Sequence, residues 1–472
     1  MTISRNSSSY SSGKSFFPPT VEEVETALPA FIGYTEKAVR RIKDDLLLVP
    51  TKINSMRDFE NLYGLPFENE IRISVATDEL NSFVVTEFKE NPLSYILYYS
   101  VKLYFENGGG PCYILAVDTY EKTQRIRFKT NPGSRHFGLM EGLNYLTEVN
   151  DLSLIVIPEA VKLDEADYSA LVQATLRQCH TLGNRFAIFD LYDGGSSNPD
   201  LNQNKELFGS EYLHCGSAYY PFVKTTLNSY VGTEGSNVKV VFSGLEAVFG
   251  ELKKSNIELF RFVKKVLKNN YLTLPSCGAV AGTYVASDRN RGVWKSPANL
   301  SLSAVSAPVL CISNQRSELV EVEPEMWKSV NSIRSFSGKG TLVWGARTLA
   351  GNESEGQFVP VRRFLIMVKE SLVKSTGWVV FEPNDSNTWL SLSRVIENYL
   401  TRKWQDGALA GVTPQQAFYV KCGLGTSMTQ DDMLNSRIKV EVGLAILSPG
   451  EFQVFEFSHL LKKPRIDALR SA

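Results

Sequence analysis

Residues 331–423 contain, in order, NSIRSFSGKGTLVWGARTLA (331–350), VRRFLIMVKESL (361–372), TGWVVFEPNDSNTWLSLSRVIENYL (376–400) and GALAGVTPQQAFYVKCG (407–423). The apolar period switches repeatedly along this stretch. TLVWGA is strand-like, RRFLIMVKESL is helix-like, GWVVFE is a short apolar run, a long amphipathic segment follows, and AFYVK closes it. Such switching predicts a compact α/β core of mixed layers.

Working outward, the same alternation continues upstream. ALPAFIGYTEKA predicts a buried strand ending at Gly33, and SMRDFENLYG a short helix begun by Ser55 and stopped by Gly64. Residues 65–95 read as a small polar insertion with one strand, SFVVTEF. Residues 93–105 carry helical spacing, the GGG at 108–110 breaks it, and PCYILAVD gives the next strand. RIRFKT, SLIVIPEA and RFAIFDLYD read as strands, and FGLMEGLNYL and ADYSALVQATLRQCHTLG as helices, the latter closed near Gly183. This predicts a partly parallel sheet.

Residues 193–210 read as loop, AYYPFVKTTL and KVVFSGLEAVFGELKKS as a strand-rich surface segment, and 259–274 as a helix ending before Pro275. Beyond it, Gly278, Ala279, Ala281 and Gly282 permit close backbone packing. AVSAPVLCI and ELVEVEP are strand candidates. IKVEVGLAILSPGEFQVFEFSHLLKK predicts two strands in a hairpin around Pro449-Gly450.

A chain of 472 residues can bury a large core and divide into several domains. Its 50 basic and 51 acidic residues leave a formal charge of -1, which gives no reason to expect nucleic acid as a partner. Cys112, Cys179, Cys215, Cys277, Cys311 and Cys422 form no CxxC set and read as reduced, mostly buried residues of a protein made in a cytoplasm. MTISRNSSSYSSGKSFFPP has no leading apolar run, so neither secretion by the usual route nor membrane insertion is expected.

Signals for catalysis are weak. His136, His180, His214 and His459 show no HExxH and no metal-ligand spacing, and the adjacent His214 and Cys215 do not suit one strand face. Neither GxGxxG nor GxxxxGK[ST] occurs; GGGP (108–111) and FSGKGT (336–341) lack phosphate-cradling spacing. In FEPND, Asn384 or Asp385 is placed to cap a helix whose apolar stripe is Trp389, Leu392, Ile396, Tyr399 and Leu400. No catalytic, cofactor or metal residue is therefore nominated, and no cofactor is expected. The basic residues Arg347, Arg362 and Arg363 are better suited to carboxylate pairing inside or between subunits, with Glu370 and Glu382 among the acids, than to nucleotide stacking.

Several phrases in fixed order resemble the sheath proteins of contractile phage tails and related injection systems. They are GVWKSPAN (292–299), NSIRSFSGKGTLVWGARTLA (331–350), VRRFLIMVKESL (361–372), WVVFEPND (378–385), LAGVTPQQAFYVKCG (409–423) and VGLAILSPGEFQVFEFS (442–458). VEEV (21–24), DFENLYG (58–64) and VKLYFENGGGPCYILAV (101–117) carry the likeness upstream. The resemblance implies a multidomain sheath-like core whose terminal arms exchange strands between subunits. On this chain it implies an N-terminal arm at 1–25, an outer α/β region at 26–270 with the 65–95 insertion, a core at 271–455 and a C-terminal arm at 456–472.

The arms and shared strands implied are Phe16, Phe17, Val21, Val24, Val442, Phe452, Val454 and position 456, where Glu456 stands between Phe455 and Phe457. Core or intersubunit contacts would be Arg291, Trp294, Arg334, Trp344, Arg347, Arg362, Arg363, Glu370, Glu382 and Arg402. The family's function implies a non-enzymatic subunit that stacks as hexameric rings around an inner tube. Its partners are copies of itself, the tube protein, and baseplate and terminal cap proteins, with no nucleic acid. It implies assembly in a bacterial cytoplasm into a particle released outside the cell. The competing expectations are an α/β enzyme with a non-local site, or another structural component of the same particle. PPTVEEV at 18–24 departs from the family's usual PGVYVEEV.

Overall fold

A computed structural model describes residues 20–121, 125–130, 133, 136–196, 200–311, 329–351 and 356–462. The expected arm residues Phe16 and Phe17, the strand candidate ELVEVEP and the chain after Lys462 lie outside the described residues. The chain divides into two units, described residues 25–367 in one, and 20–24 with 368–462 in the other.

Among the described residues, the larger unit is built on a nine-stranded sheet. Six parallel strands form its centre: Val330–Phe336, Gly216–Tyr220, Phe186–Asp190, Leu154–Val156, Pro29–Thr35 and Cys112–Thr119, in that spatial order. Antiparallel strands finish both sides, Gly340–Trp344 and Leu300–Ser301 at one, Thr51–Ile53 at the other. All seven residues of Pro29–Thr35 are buried, as a parallel strand covered on both faces requires. Phe31, Ile114 and Ile188 face one apolar cluster; Ile32, Leu115 and Ala187 face the other.

Two helices cover the first face, Leu97–Glu106 and Cys277–Arg291. They approach closely because the second carries small residues. A Cβ at Gly278 would stand 2.4 Å from the Ser100 carbonyl oxygen, and one at Gly282 would stand 2.4 Å from that of Tyr104. Asp190, at the end of its strand, fastens the start of Cys277–Arg291: its Oδ1 accepts from Ser276 N–H at 2.6 Å, Ser276 Oγ at 2.8 Å and Cys277 N–H at 3.1 Å. The other face carries Leu139–Tyr145 and Glu165–Leu182. The second of these starts at Asp164, whose carboxylate accepts from Asp167 N–H, and ends at Gly183 with φ 69°.

Residues 65–95 hold two strands rather than one. Ile71–Thr77 and Phe83–Glu90 join Val238–Phe242 and Leu245–Val248 in a four-stranded sheet, with the helix Ile257–Lys268 packed on it through Leu259, Val263 and Leu267. Other sequence expectations shift as well. RIRFKT forms no strand among its described residues, while Leu201–Leu207, inside the expected loop, is a helix begun by Asp200. The expected helix at 259–274 stops at Lys268 and gives way to the strand Tyr271–Leu274. The first strand continues past Gly33 to Thr35. Among the described residues no helix is long and apolar enough to cross a membrane.

Candidate assembly site

The smaller unit places an antiparallel sheet of three strands, Phe418–Cys422, Arg437–Leu444 and Gln453–Leu460, beside the helix Ser386–Gln405. Asp385 caps that helix by accepting from Thr388 N–H at 2.9 Å; of the expected stripe, Leu392, Ile396, Tyr399 and Leu400 are buried and Trp389 is half-buried. The two long strands form the expected hairpin, in register from Arg437 opposite Leu460 to Leu444 opposite Gln453.

Gln453–Leu460 is an edge strand with a clear alternation. Phe457 and His459 are buried, and Phe455 is half-buried, whereas Val454, Glu456, Ser458 and Leu460 are exposed. Val454 and Leu460 are 52% and 65% exposed. Among the described residues the strand pairs on one side only, with Arg437–Leu444, and an edge strand can take up a further strand on its other side. His459 anchors it from within, its Nε2 2.8 Å from Thr376 Oγ1, which itself donates to the Leu372 carbonyl at 2.6 Å. GWVVFE, read as a short apolar run, is the 3-10 helix Gly377–Phe381. Lys462 N–H donates to Val380 O at 3.0 Å.

The N-terminal segment is held beside the same unit. Glu22 N–H donates to Ser375 Oγ and Val24 N–H to Ser371 Oγ, both at 3.0 Å. Alternate residues of an extended chain repeat at about 6.7 Å. Residues four apart on a helix rise about 6 Å. Ser371 and Ser375, one turn apart on the helix Val359–Ser375, therefore receive every second N–H, which pins Glu22 and Val24 as an extended segment. Lys403 adds ion pairs to Glu23 at 2.5 Å and Asp406 at 3.0 Å, and Val21 is buried. Thr20 borders a groove of about 950 Å³ with Trp378, Glu382, Arg394, Asn398 and Arg402.

The nominated contact residues fall into separate places. Arg363 pairs with Asp288, an acid the sequence did not nominate. Arg362 Nη2 lies 3.8 Å from Cys215 Sγ. Arg334 lies over the rings of Phe336 and Trp344, Arg347 over Phe358, and Trp294 packs edge-on against Phe364. Arg291 donates to Ser287 Oγ and the Ser296 carbonyl, and Glu370 pairs with Lys374 at 3.1 Å. Val442 is buried within the three-stranded sheet, and Phe452 packs against Tyr419. Four of the six cysteines are buried and all six are free thiols.

No family model matches the chain. Solved structures do. The helical sheath of the anti-feeding prophage in its contracted state is 25% identical with a TM-score of 0.62, covering 96% of this chain and 99% of that one. The sheath complex of the extracellular contractile injection system PVC, also contracted, is 25% identical with a TM-score of 0.60, covering 97% and 98%. The tail sheath protein of Vibrio phage KVP40 is 23% identical over 319 residues, 63% of this chain and 42% of that protein. The chain spans less than half the length of the curated relatives it matches. In its mixed α+β architecture the protein is structurally homologous, at low identity, to sheath proteins of phage tails and contractile injection systems.

Proposed function

We propose that the chain is the sheath subunit of a phage tail-like contractile injection system, a mechanical protein rather than an enzyme. The observation that carries this reading is the likeness to a contracted helical sheath along nearly the full length of both chains. The strand Gln453–Leu460, last in its described sheet, and the serine-pinned segment at Glu22 and Val24 supply the means of assembly in this reading. A strand donated by a neighbour satisfies edge groups that otherwise require water, and it links subunits through backbone hydrogen bonds.

In this reading the subunits stack as six-membered rings around an inner tube, between a baseplate and a terminal cap. They assemble in a bacterial cytoplasm into a particle that acts outside the cell. The extended polymer is metastable. On triggering, folded units move as rigid bodies into a wider, shorter state with more favourable contacts, while the arms bend and stay joined. The stroke consumes no nucleotide, because its energy is stored at assembly.

Deleting residues 1–20 tests the reading. The truncated chain is expected to remain a folded monomer and to form no long sheaths by sedimentation and negative-stain imaging. Sheaths of normal length from the truncated chain would overturn it.

A further inference from the structure

Three side chains capable of binding a soft divalent metal meet at one end of the larger unit's sheet. His180 lies in the last turn of Glu165–Leu182, and His214 and Cys215 form most of the single 3-10 turn Leu213–Cys215 that leads into the strand Gly216–Tyr220. One ligating atom from each lies within 4.8 Å of the other two. The two imidazole rings stand 5.7 Å apart at 82°, so they converge edge to face rather than stacking on each other.

The surroundings orient these groups. Tyr212, in the left-handed region at φ 57°, starts the turn and lays its ring on His180 at 4.2 Å and 22°. Cys215 is fully buried, His214 half-buried and His180 exposed, so the cluster is closed at the sulfur and open to solvent at His180. Burial raises the Cys215 thiol, and Arg362, with Nη2 3.8 Å from Sγ, opposes that shift and can donate to a metal-bound sulfur.

We propose that His180, His214 and Cys215 form a zinc site with two nitrogens, one sulfur and a fourth position on the solvent side. Two imidazoles and a thiolate match the ligand preference of Zn²⁺. Tetrahedral bonding at about 2.1 Å to nitrogen and about 2.3 Å to sulfur puts ligand atoms roughly 3.4–3.6 Å apart. With the three atoms within 4.8 Å of one another, the cluster closes by at most about 1.3 Å to reach that spacing. Binding replaces the thiol proton of Cys215 with the metal and releases one proton per ion. The bound ion ties the end of Glu165–Leu182 to the turn before Gly216. This inference stands apart from the sheath reading, and neither depends on the other.

The test uses the full chain, freed of metal by chelation and titrated with Zn²⁺ against a chromophoric chelator, with Co²⁺ as a spectroscopic substitute. One Zn²⁺ per chain is expected, with a thiolate-to-cobalt charge-transfer band and a higher melting temperature on zinc addition. His180→Ala removes an exposed ring stacked on Tyr212, so its own metal-free melting temperature is the baseline against which its response to zinc is read. It should weaken zinc at least about tenfold, the scale of loss seen when metal-site groups are removed. Cys215→Ser should abolish the charge-transfer band. Absence of stoichiometric binding at micromolar Zn²⁺ would overturn the site. So would His180→Ala and Cys215→Ser chains that bind zinc and cobalt as the parent does, since the metal would then sit on other groups such as the exposed Cys311.

Discussion

Arg363 and Asp288 form a bidentate pair, Nη1 to Oδ1 at 3.0 Å and Nη2 to Oδ2 at 2.5 Å, with side chains only 4% and 6% exposed. Thr26 closes the arrangement: its hydroxyl donates to Asp288 Oδ2 at 2.7 Å and its carbonyl accepts from Arg363 Nη2 at 2.8 Å. The guanidinium also lies 4.8 Å from the centre of the Tyr284 ring. One buried pair thus joins the entry to the first strand with the helices Cys277–Arg291 and Val359–Ser375. Arg363→Ala leaves a buried carboxylate without its counter-charge and is expected to cost about 3–5 kcal/mol. Arg363→Lys keeps the charge and loses the fork, so it should fall between. The paired change Arg363→Met with Asp288→Leu should recover much of the loss. Urea unfolding followed by tryptophan fluorescence measures all three, and an unchanged midpoint for Arg363→Ala would show that the pair carries no stability.

The contact between Leu97–Glu106 and Cys277–Arg291 makes a second prediction. Alanine at 278 or 282 gains up to about 1 kcal/mol of helix propensity. It also drives a methyl group to 2.4 Å from a backbone carbonyl oxygen, which a flexible side chain is not present to relieve. Overpacking of this kind costs about 1–3 kcal/mol. Gly278→Ala and Gly282→Ala should each lower the melting temperature, and the double change should lower it further. A rise in melting temperature would mean that propensity outweighs the clash and that the helices can separate cheaply.

These two relationships show what the sequence could and could not convey. The small residues at 278–282 announce close packing by their size alone, and the helix cap at Asp385 and the hairpin around Pro449-Gly450 are local signals with local causes. Asp288 lies 75 residues from Arg363, and no periodicity connects them. The helix Leu201–Leu207 hides in polar composition and is marked only by Asp200, which accepts from Asn202 and Gln203 N–H. GWVVFE has the composition of a strand, yet in the folded chain it turns as a 3-10 helix. His180 reaches His214 and Cys215 only because a helix end and a strand start meet at the same end of the sheet, which ligand spacing along the chain does not reveal. In the smaller unit, the alternation at Gln453–Leu460 is legible in the sequence, whereas the serine clamp on Glu22 and Val24 is not.

Glu159 gives a prediction in pH. It is fully buried beneath the first strand, where its oxygens accept from Tyr34 N–H at 2.9 Å, Ile96 N–H at 2.9 Å and Leu97 N–H at 3.1 Å. Burial pushes its carboxyl from the usual 4.5 up to about 8, against the opposing pull of those three donors. Between these values the folded chain retains a proton that the unfolded chain has released. The contribution to stability is therefore fully present below about 4.5 and is lost as pH rises through about 8. Glu159→Gln cannot titrate, so its stability should fall less steeply over that window than the parent's. Parallel stability-versus-pH curves for the two chains would place the titrating group elsewhere.

The edge strand separates folding from assembly. Val454 and Leu460 stand 52% and 65% exposed on the outward side of Gln453–Leu460, so replacing both with lysine removes little buried apolar area from the single chain. Exposed substitutions of this type change stability by about 0.5 kcal/mol or less. Lysine on an edge strand opposes pairing, because an incoming strand must desolvate its ammonium group. If the sheath reading holds, Val454→Lys with Leu460→Lys should melt at the parent's temperature and sediment as a monomer under conditions in which the parent forms long polymers. A His459→Gln change provides the contrast. Burial holds the imidazole below its usual range, so its contribution to stability is present above the ordinary histidine pKa and is lost as pH falls below it. That variant should alter the pH dependence of folding of the same strand while leaving its outer face intact. Normal polymers from the double lysine chain would exclude this edge as an assembly surface, whereas loss of polymers together with a large drop in melting temperature would assign the strand a role in folding instead.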